Sequence, residues 1–372
     1  MQKVIYMDQI FPRVLNIVCA TVWGGGEQYV YDLCQELQRK GVKNLIVTDA
    51  KATAVTQRLG EVATVVPMTL NAINGLPSLF SLASLIRREK VEVVQCHSGK
   101  MMPLCMLLKK LTGVAIVSFR HNALPAKTDG YHRYLRKATD AFVCVSDLVL
   151  QLQTSKLTAD EKKRFYKVYN GISTERFAGL QPATSEKAND ALVVGYAGRL
   201  ASNKGLDILV ESFAQLKANF PKAILYLAGA DEKGYRATLE QLIVDLGLTE
   251  SVVFKGLVSD MAAYYGELDI FVLPSQVQEA FGLVLCEAMY CGVPVITSDS
   301  GAQREIISDD SMGVVLSPFT TESLTVALTR LATDSTLRSA LGENGHKRVA
   351  DAFTMAQTVT GLQTVYANIL NK

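Results

Sequence analysis

The feature that most constrains this chain is an alternation met twice: short aliphatic and β-branched runs, each followed by an amphipathic helical pattern. In the first half the predicted strands are Val14–Ala20, Asn44–Thr48, Val91–Cys96, Ala115–Phe119, Ala141–Val145 and Phe165–Val168. Helical periodicity falls between them, as at Gln28–Arg39 and Leu79–Arg88. The second half repeats the style with Leu192–Ala197, Ala223–Ala228, Val252–Lys255, Ile270–Leu273, Pro294–Thr297 and Gly313–Leu316. Its helices include Leu206–Ala218, Tyr235–Leu246 and Leu283–Tyr290. Strands alternating with helices predict parallel sheets covered on both faces. Two such sets in 372 residues predict an α/β protein of two doubly wound, Rossmann-like domains, although counting alone leaves a single barrel over the whole chain open.

The polar, aperiodic stretch AGLQPATSEKAND at 178–190 marks the boundary. The expected division is an N-terminal domain over 1–177, a C-terminal domain over 178–354 and a last helix within 355–372. Open parallel sheets bind ligands beyond the carboxyl ends of their strands, so a cleft between the two domains is the expected site.

Composition removes several classes of function. Hydrophobic residues make up 49% and charged residues 20%, as in a folded globular protein. No window holds the ~18 uninterrupted apolar residues of a membrane span. Asp8 and Arg13 break the N-terminal apolar stretch, which argues against a signal peptide and predicts a cytoplasmic protein. Cys19, Cys34, Cys96, Cys105, Cys144, Cys286 and Cys291 contain no CxxC pair, and the four histidines contain no HExxH. Reduced core thiols are expected, with neither a zinc site nor disulfides.

The net charge of +2 conceals an asymmetry. Residues 1–177 carry 24 Lys+Arg against 14 Asp+Glu, while the remainder carries 14 against 22. A basic half suits an anionic partner such as a phosphate or a membrane surface, or else merely serves solubility.

Three segments carry chemistry. Gly24-Gly25-Gly26-Glu27 follows the first strand and opens a helix. Its glycines either bring backbone N–H groups to an anion or make a strand-to-helix turn; the spacing is not GxGxxG. In VVGYAGRLASNKGLDILVESF, Arg199 and Lys204 sit at the carboxyl end of a strand and beside a helix N-terminus. A guanidinium and an ammonium there suit a diphosphate, the bland alternative being a pair of solvated cations. In PSQVQEAFGLVLCEAMYCGVPVI, Glu279 lies before a helix and Glu287 inside it. The backbone N–H groups of Phe281, Gly282 and Leu283 are placed for phosphates, and Glu287 for a ribose diol.

GGGE, YAGRL…KG and Glu279-A-F-G-L-x3-Glu287 together resemble the retaining glycosyltransferases of family 4, which have the GT-B architecture of two Rossmann-like domains facing across a cleft. VYNGIS (Val168–Ser173), FVLPS (Phe271–Ser275) and CGVPVITSDSGAQREII (Cys291–Ile307) support the resemblance, which runs from about Val14 to Ile307. The segment FTMAQTVTGLQTVY is similar to the terminal helix that crosses back to the first domain in that fold.

The resemblance implies a nucleotide-sugar donor, a UDP-sugar foremost, bound mainly to the C-terminal domain with no metal or other cofactor. It implies that Arg199 and Lys204 contact the diphosphate, Glu287 the ribose and Glu279 the donor-sugar hydroxyls, with the loop holding Gly25 and Gly26 approaching the donor phosphate or the acceptor. His121 matches a histidine near the reacting sugar in relatives, its alternative being a satisfied core histidine. Arg120 departs from the small or aromatic residue expected beside it. His97 and Glu27 are expected near the acceptor, Glu305 resembles a further acid of the family motif or else only caps or braces the site, and backbone near Lys255–Val258 meets the base.

The implied reaction transfers a sugar with retention to a hydroxyl acceptor, a lipid-linked or cell-surface glycan precursor. The apolar segment Met101–Leu111 with its paired lysines, followed by Arg133, Arg136 and Lys137, suits either an anionic membrane leaflet or the cover of a sheet. The rival readings are a synthase or phosphorylase of soluble sugars and a catalytically silent nucleotide-sugar-binding protein. The missing GxGxxG argues against a nicotinamide dehydrogenase, and the lack of basic runs interleaved with aromatics argues against nucleic-acid binding.

Overall fold

A computed structural model describes residues 11–70, 76–179 and 191–371 of the chain. The chain divides into two compact units: one takes the described residues through Gly171 and those from Met355 onward, the other Ile172–Thr354. From 180 on, the boundary expected at 178–190 lies outside the described residues, as does Asp8. The short 3-10 turn Thr174–Phe177, placed in the first domain by the sequence reading, belongs to the second unit.

The first unit is built on strands β1 (Val14–Val18), β2 (Leu45–Asp49), β3 (Thr64–Met68), β4 (Val93–Cys96), β5 (Ala115–Arg120), β6 (Ala141–Cys144) and β7 (Phe165–Lys167). Their spatial order is β3-β2-β1-β4-β5-β6-β7. All are parallel; Asn16 of β1 stands opposite Ile46 on one side and Gln95 on the other. β3 was not expected from the sequence. It contains Pro67, is half exposed and lies at the sheet edge, where a missing N–H is tolerated and apolar alternation is weak.

Leu15, Ile17, Val47, Val94 and Ile116 of this sheet pack with Leu82 and Ile86 of helix Leu76–Arg88 and Cys105 and Leu108 of helix Met102–Thr112. Each such apolar side chain contributes about 1.5–3 kcal/mol by leaving water. The terminal helix Met355–Leu370 packs in this unit against helix Gly25–Arg39. Tyr366 stacks edge-on with Phe11 at 5.2 Å, Gln95 donates a hydrogen bond to the Tyr366 hydroxyl, and Thr358 donates to the Tyr169 carbonyl at 2.9 Å.

The second unit holds β8 (Val193–Ala197), β9 (Ile224–Ala228), β10 (Val252–Gly256), β11 (Ile270–Leu273), β12 (Val295–Ser298) and β13 (Val314–Leu316), in the order β10-β9-β8-β11-β12-β13 and again parallel. In each sheet the order reverses between two neighbours, β1/β4 and β8/β11. At such a reversal adjacent loops diverge to opposite faces and leave a crevice at the carboxyl ends. Six of the seven cysteines are buried and all are free, with Cys19 half-buried.

Candidate active site

In the second unit the crevice at the β8/β11 reversal receives one loop from each strand. The loop after β8 runs through the 3-10 turn Ser202–Lys204 to helix Leu206–Lys217, and the loop after β11 carries Glu279 to helix Leu283–Tyr290. Gln276 donates its N–H to the Asn203 carbonyl at 3.1 Å, which clips the loops together. Gly205 makes this approach possible: its φ is +66°, and a Cβ there would lie 2.2 Å from the Pro274 carbonyl oxygen. Gly301 does the same on the far side, where a Cβ would stand 2.3 Å from the Glu279 carbonyl oxygen.

The result is an ion pair between Lys204 Nζ and Glu279 Oε1 at 2.5 Å, with side chains only 13% and 19% exposed. The two residues assigned to diphosphate and sugar hydroxyls thus hold each other. Arg199 pairs instead with Glu232 at 2.6 Å, its side chain 62% exposed. Its backbone is anchored, since Tyr196 donates to the Arg199 carbonyl at 2.8 Å and Tyr264 donates to the Tyr196 carbonyl at 2.7 Å.

Glu287 is buried in the helix after the loop, as its apolar neighbours imply. Arg176 Nη1 donates to its Oε1 at 2.9 Å, and the Tyr265 hydroxyl donates to its Oε2 at 3.0 Å. Burial, reinforced by the Glu287 charge, pushes the Tyr265 phenol well above its ordinary range, so it stays protonated and donates. Neither Arg176 nor Tyr265 was identified from sequence; an arginine in a short turn 111 residues from its partner carries no local signal. Each Glu287 oxygen keeps a second lone pair for a diol.

Phe281 is buried and stacks edge-on with Phe353 at 5.6 Å, while Gly282, with φ +120°, caps helix Leu283–Tyr290. Only the backbone of this stretch is therefore suited to phosphate. The main chain of Glu305 accepts a hydrogen bond from Arg348 at 2.8 Å, which ties its helix down. Lys255, at the end of β10, pairs with Glu267 at 2.8 Å and lies over the Tyr226 ring.

The first unit places its residues at the carboxyl ends of β1, β4 and β5. Gly24 caps helix Gly25–Arg39, and Glu27 in its first turn folds back on the loop, where backbone N–H groups of Glu27 and Gly24 favour its charge. Burial outweighs them and raises the Glu27 carboxyl. Trp23 beside the loop donates to Gln28 Oε1 at 3.2 Å and lies under the Arg58 guanidinium at 4.1 Å.

His97 after β4 and His121 after β5 meet directly, Nδ1 to Nε2 at 3.0 Å, and His97 Nε2 reaches Asn16 Oδ1 at 3.0 Å. Burial lowers both imidazoles, His121 to about 4, and each therefore stays neutral at pH 7. The tautomers follow. An amide oxygen only accepts, so His97 carries its proton on Nε2 and presents a bare Nδ1. His121 must donate from Nε2 to that nitrogen, which leaves its own Nδ1 as an acceptor. Asn16, buried in β1, is a further residue not identified from sequence.

The cations expected either at a membrane leaflet or on the cover of a sheet are corrected at one position. Arg136 is buried, donates to the Lys127 carbonyl at 2.5 Å and pairs with Glu161 at 3.4 Å, so it is a structural cation. In Met101–Leu111, residues Met101, Met102, Cys105, Met106 and Leu108 face the core, and Lys109 pairs with Asp140 at 2.7 Å. Leu107 and Leu111 remain exposed. Among the described residues no helix is long and apolar enough to cross a membrane, and no group of three or more His, Cys, Asp or Glu is placed to hold a metal ion.

Comparison with known proteins agrees in both units. Residues 23–176 match the family model Glycosyltransferase Family 4, and residues 180–348 match Glycosyl transferases group 1. The capsular polysaccharide biosynthesis glycosyltransferase CapM of Staphylococcus aureus is 25% identical over 91% of this chain and 93% of its own length. A glycosyltransferase from Rickettsia africae superposes with a TM-score of 0.84 at 21% identity, covering 97% of this chain and 99% of its own. The Anabaena protein HepE, solved in complex with UDP-glucose, gives 0.79 at 19% identity over 97% and 100%. The fold is GT-B, two Rossmann-like units on parallel sheets.

Proposed function

The chain belongs to glycosyltransferase family 4, and on that premise we propose that it is a retaining enzyme, working without a metal, that transfers a sugar from a nucleoside diphosphate to a hydroxyl of a cell-surface glycan precursor. The observation that carries this reading is the Lys204–Glu279 pair at the β8/β11 crevice. On donor binding, the diphosphate takes the Lys204 ammonium and the freed Glu279 carboxylate turns to the sugar hydroxyls. Arg199 leaves the exposed Glu232 pair for the same phosphates, and Glu287, held by Arg176 and Tyr265, receives the ribose diol. Departure of the diphosphate builds negative charge on its leaving oxygen, which Lys204, Arg199 and the N-terminus of helix Leu283–Tyr290 stabilise. The acceptor hydroxyl attacks the oxocarbenium-like carbon from the same face, and its proton passes to the departing phosphate. The bare Nδ1 of His121 accepts a hydrogen bond from a sugar hydroxyl beside the reacting carbon.

The UDP-glucose bound by HepE and the capsular role of CapM support a UDP-sugar donor and an envelope acceptor. Helices Leu76–Arg88, Met102–Thr112 and Gly130–Ala138 are neighbours and expose Phe80, Leu107, Leu111, Tyr131 and Tyr134 beside Lys110, Arg133 and Lys137. That mixture of apolar and cationic side chains supports peripheral contact with an anionic leaflet on the cytoplasmic side.

Thermal shift with UDP, GDP, ADP, dTDP and NAD, each with and without EDTA, tests the reading. One nucleoside diphosphate is expected to raise the melting temperature equally in both. A response to NAD alone would refute it, and a response abolished by EDTA would refute metal independence.

A further inference from the structure

Arg120 ends β5, immediately before His121. Among the described residues its guanidinium has no carboxylate partner, and its Nε is buried with no hydrogen-bond acceptor. Its neighbours are the Phe142 ring, 5.0 Å from the guanidinium carbon, and the thiols of Cys96 and Cys144. The other charge beside it is the like-charged Arg136, itself taken up by Glu161. Burial disfavours its charged form, yet an arginine keeps its proton at neutral pH. A desolvated cation without a counter-charge is costly, and that cost becomes affinity for any anion that reaches it.

The guanidinium tip has an open approach. It faces the backbone of Gly99, where a Cβ would stand 3.7 Å from Arg120 Nη1 and meet nothing else within 4 Å. Gly99 and Lys100 are exposed, and they open the helical stretch that continues as Met102–Thr112. The buried guanidinium thus ends against an exposed glycine, with the cationic Lys100 next in the chain and His121 next to Arg120 itself.

We propose that Arg120, with Lys100 and the backbone at Gly99, binds a compact oxyanion carried by the acceptor: the phosphate of a carrier-linked acceptor or the carboxylate of an acidic sugar. This deepens the transferase reading by naming the acceptor class and rests on it for the word acceptor; the anion site itself rests on Arg120. A bidentate guanidinium–oxyanion contact seats the acceptor by its charged group and leaves the neutral hydroxyl to His121.

The test compares the full-length wild-type chain with Arg120→Met and Gly99→Asp, by calorimetric titration with inorganic phosphate, pyrophosphate and glucuronate. Gly99 does not have a positive φ, so aspartate is tolerated there and sets a carboxylate against Arg120 within the chain. The wild type is expected to bind at least one anion, and both variants to bind it about tenfold more weakly. Gly99→Asp is also expected to melt higher than wild type without added anion, which keeps the test decisive if Arg120→Met fails to fold. Preference for phosphate or pyrophosphate assigns a phosphorylated carrier, and preference for glucuronate an acidic sugar. A wild type that binds none of the three, or a folded Gly99→Asp with wild-type anion affinity, overturns the site. Anion sites shared with the donor pocket contribute equally to all three proteins. Nucleoside diphosphate shifts, read in parallel, report the transferase assignment separately.

Discussion

His97 Nδ1 lies 3.0 Å from His121 Nε2, and that one contact joins the ends of two adjacent strands into a relay that starts at Asn16. Because Asn16 Oδ1 can only accept, both rings are locked in one tautomer each, with His121 Nδ1 left bare.

Asn16→Leu should therefore act at a distance. With no acceptor for its Nε2–H, His97 is free to place its proton on Nδ1, and His121 then reverses. The expected outcome is a fall in kcat of about tenfold with a smaller change in donor KM. Nitrogen-15 spectra of the histidine rings should show mixed tautomers; unchanged ring nitrogen signals in this variant would refute the relay.

Lys204→Ala and Glu279→Gln should each lower transfer on the order of 10²–10³-fold, the usual loss when one group stabilising the transition-state charge is removed. The side chains are only 13% and 19% exposed, so removing one partner should also lower the melting temperature, and turnover is compared below the melt of each variant. Steady-state kinetics beside a thermal melt decide this, and wild-type turnover in either variant would remove the pair from the site.

Arg176→Met should behave differently, because it strips the cation from a carboxylate buried in a helix. Removing one partner of a buried pair costs about 3–5 kcal/mol. Denaturant unfolding should show most of that loss. Arg176→Met combined with Glu287→Leu should recover much of it while remaining unable to bind nucleotide tightly.

The buried imidazoles make stability depend on pH in a defined direction. His121 falls from 6.5 in the unfolded chain to about 4 in the folded one. As pH drops through that window the unfolded chain takes up a proton that the folded chain refuses, so stability declines with acidification and levels off below the folded value. At about 1.4 kcal/mol per unit the loss from His121 approaches roughly 3 kcal/mol. Unfolding curves across this range should show it, and His121→Gln should flatten the slope.

Much of the architecture is readable along the chain. The strand at Ile270–Leu273 and the helices at Leu283–Tyr290 and Met355–Leu370 occur where their periodicity places them. β3 was hidden, because an edge strand with Pro67 and exposed residues lacks the apolar alternation that identifies the others. The glutamate spacing pointed to Glu279 and Glu287 because both lie in one local loop-and-helix segment. It was silent on Arg176, Tyr265 and Asn16, which lie far from the residues they serve. Arg136 was misjudged for a related reason: its charge is visible in the sequence, but its burial against Lys127 and Glu161 is not.

The sequence by itself determined what is periodic or local: two parallel α/β units, the glycine turns at strand ends and the residue types gathered beyond them. Only the tertiary structure decided which groups meet. Lys204 and Glu279 are 75 residues apart, Asn16 and His97 are 81, and Arg176 and Glu287 are 111. Strand order brings the first two pairs together, each within its own unit, by reversing at β8/β11 and at β1/β4 and so delivering distant loops to the same sheet edge. Local periodicity reports which face of an element is buried; a partner's identity depends on which elements become neighbours, and no short-range pattern encodes that.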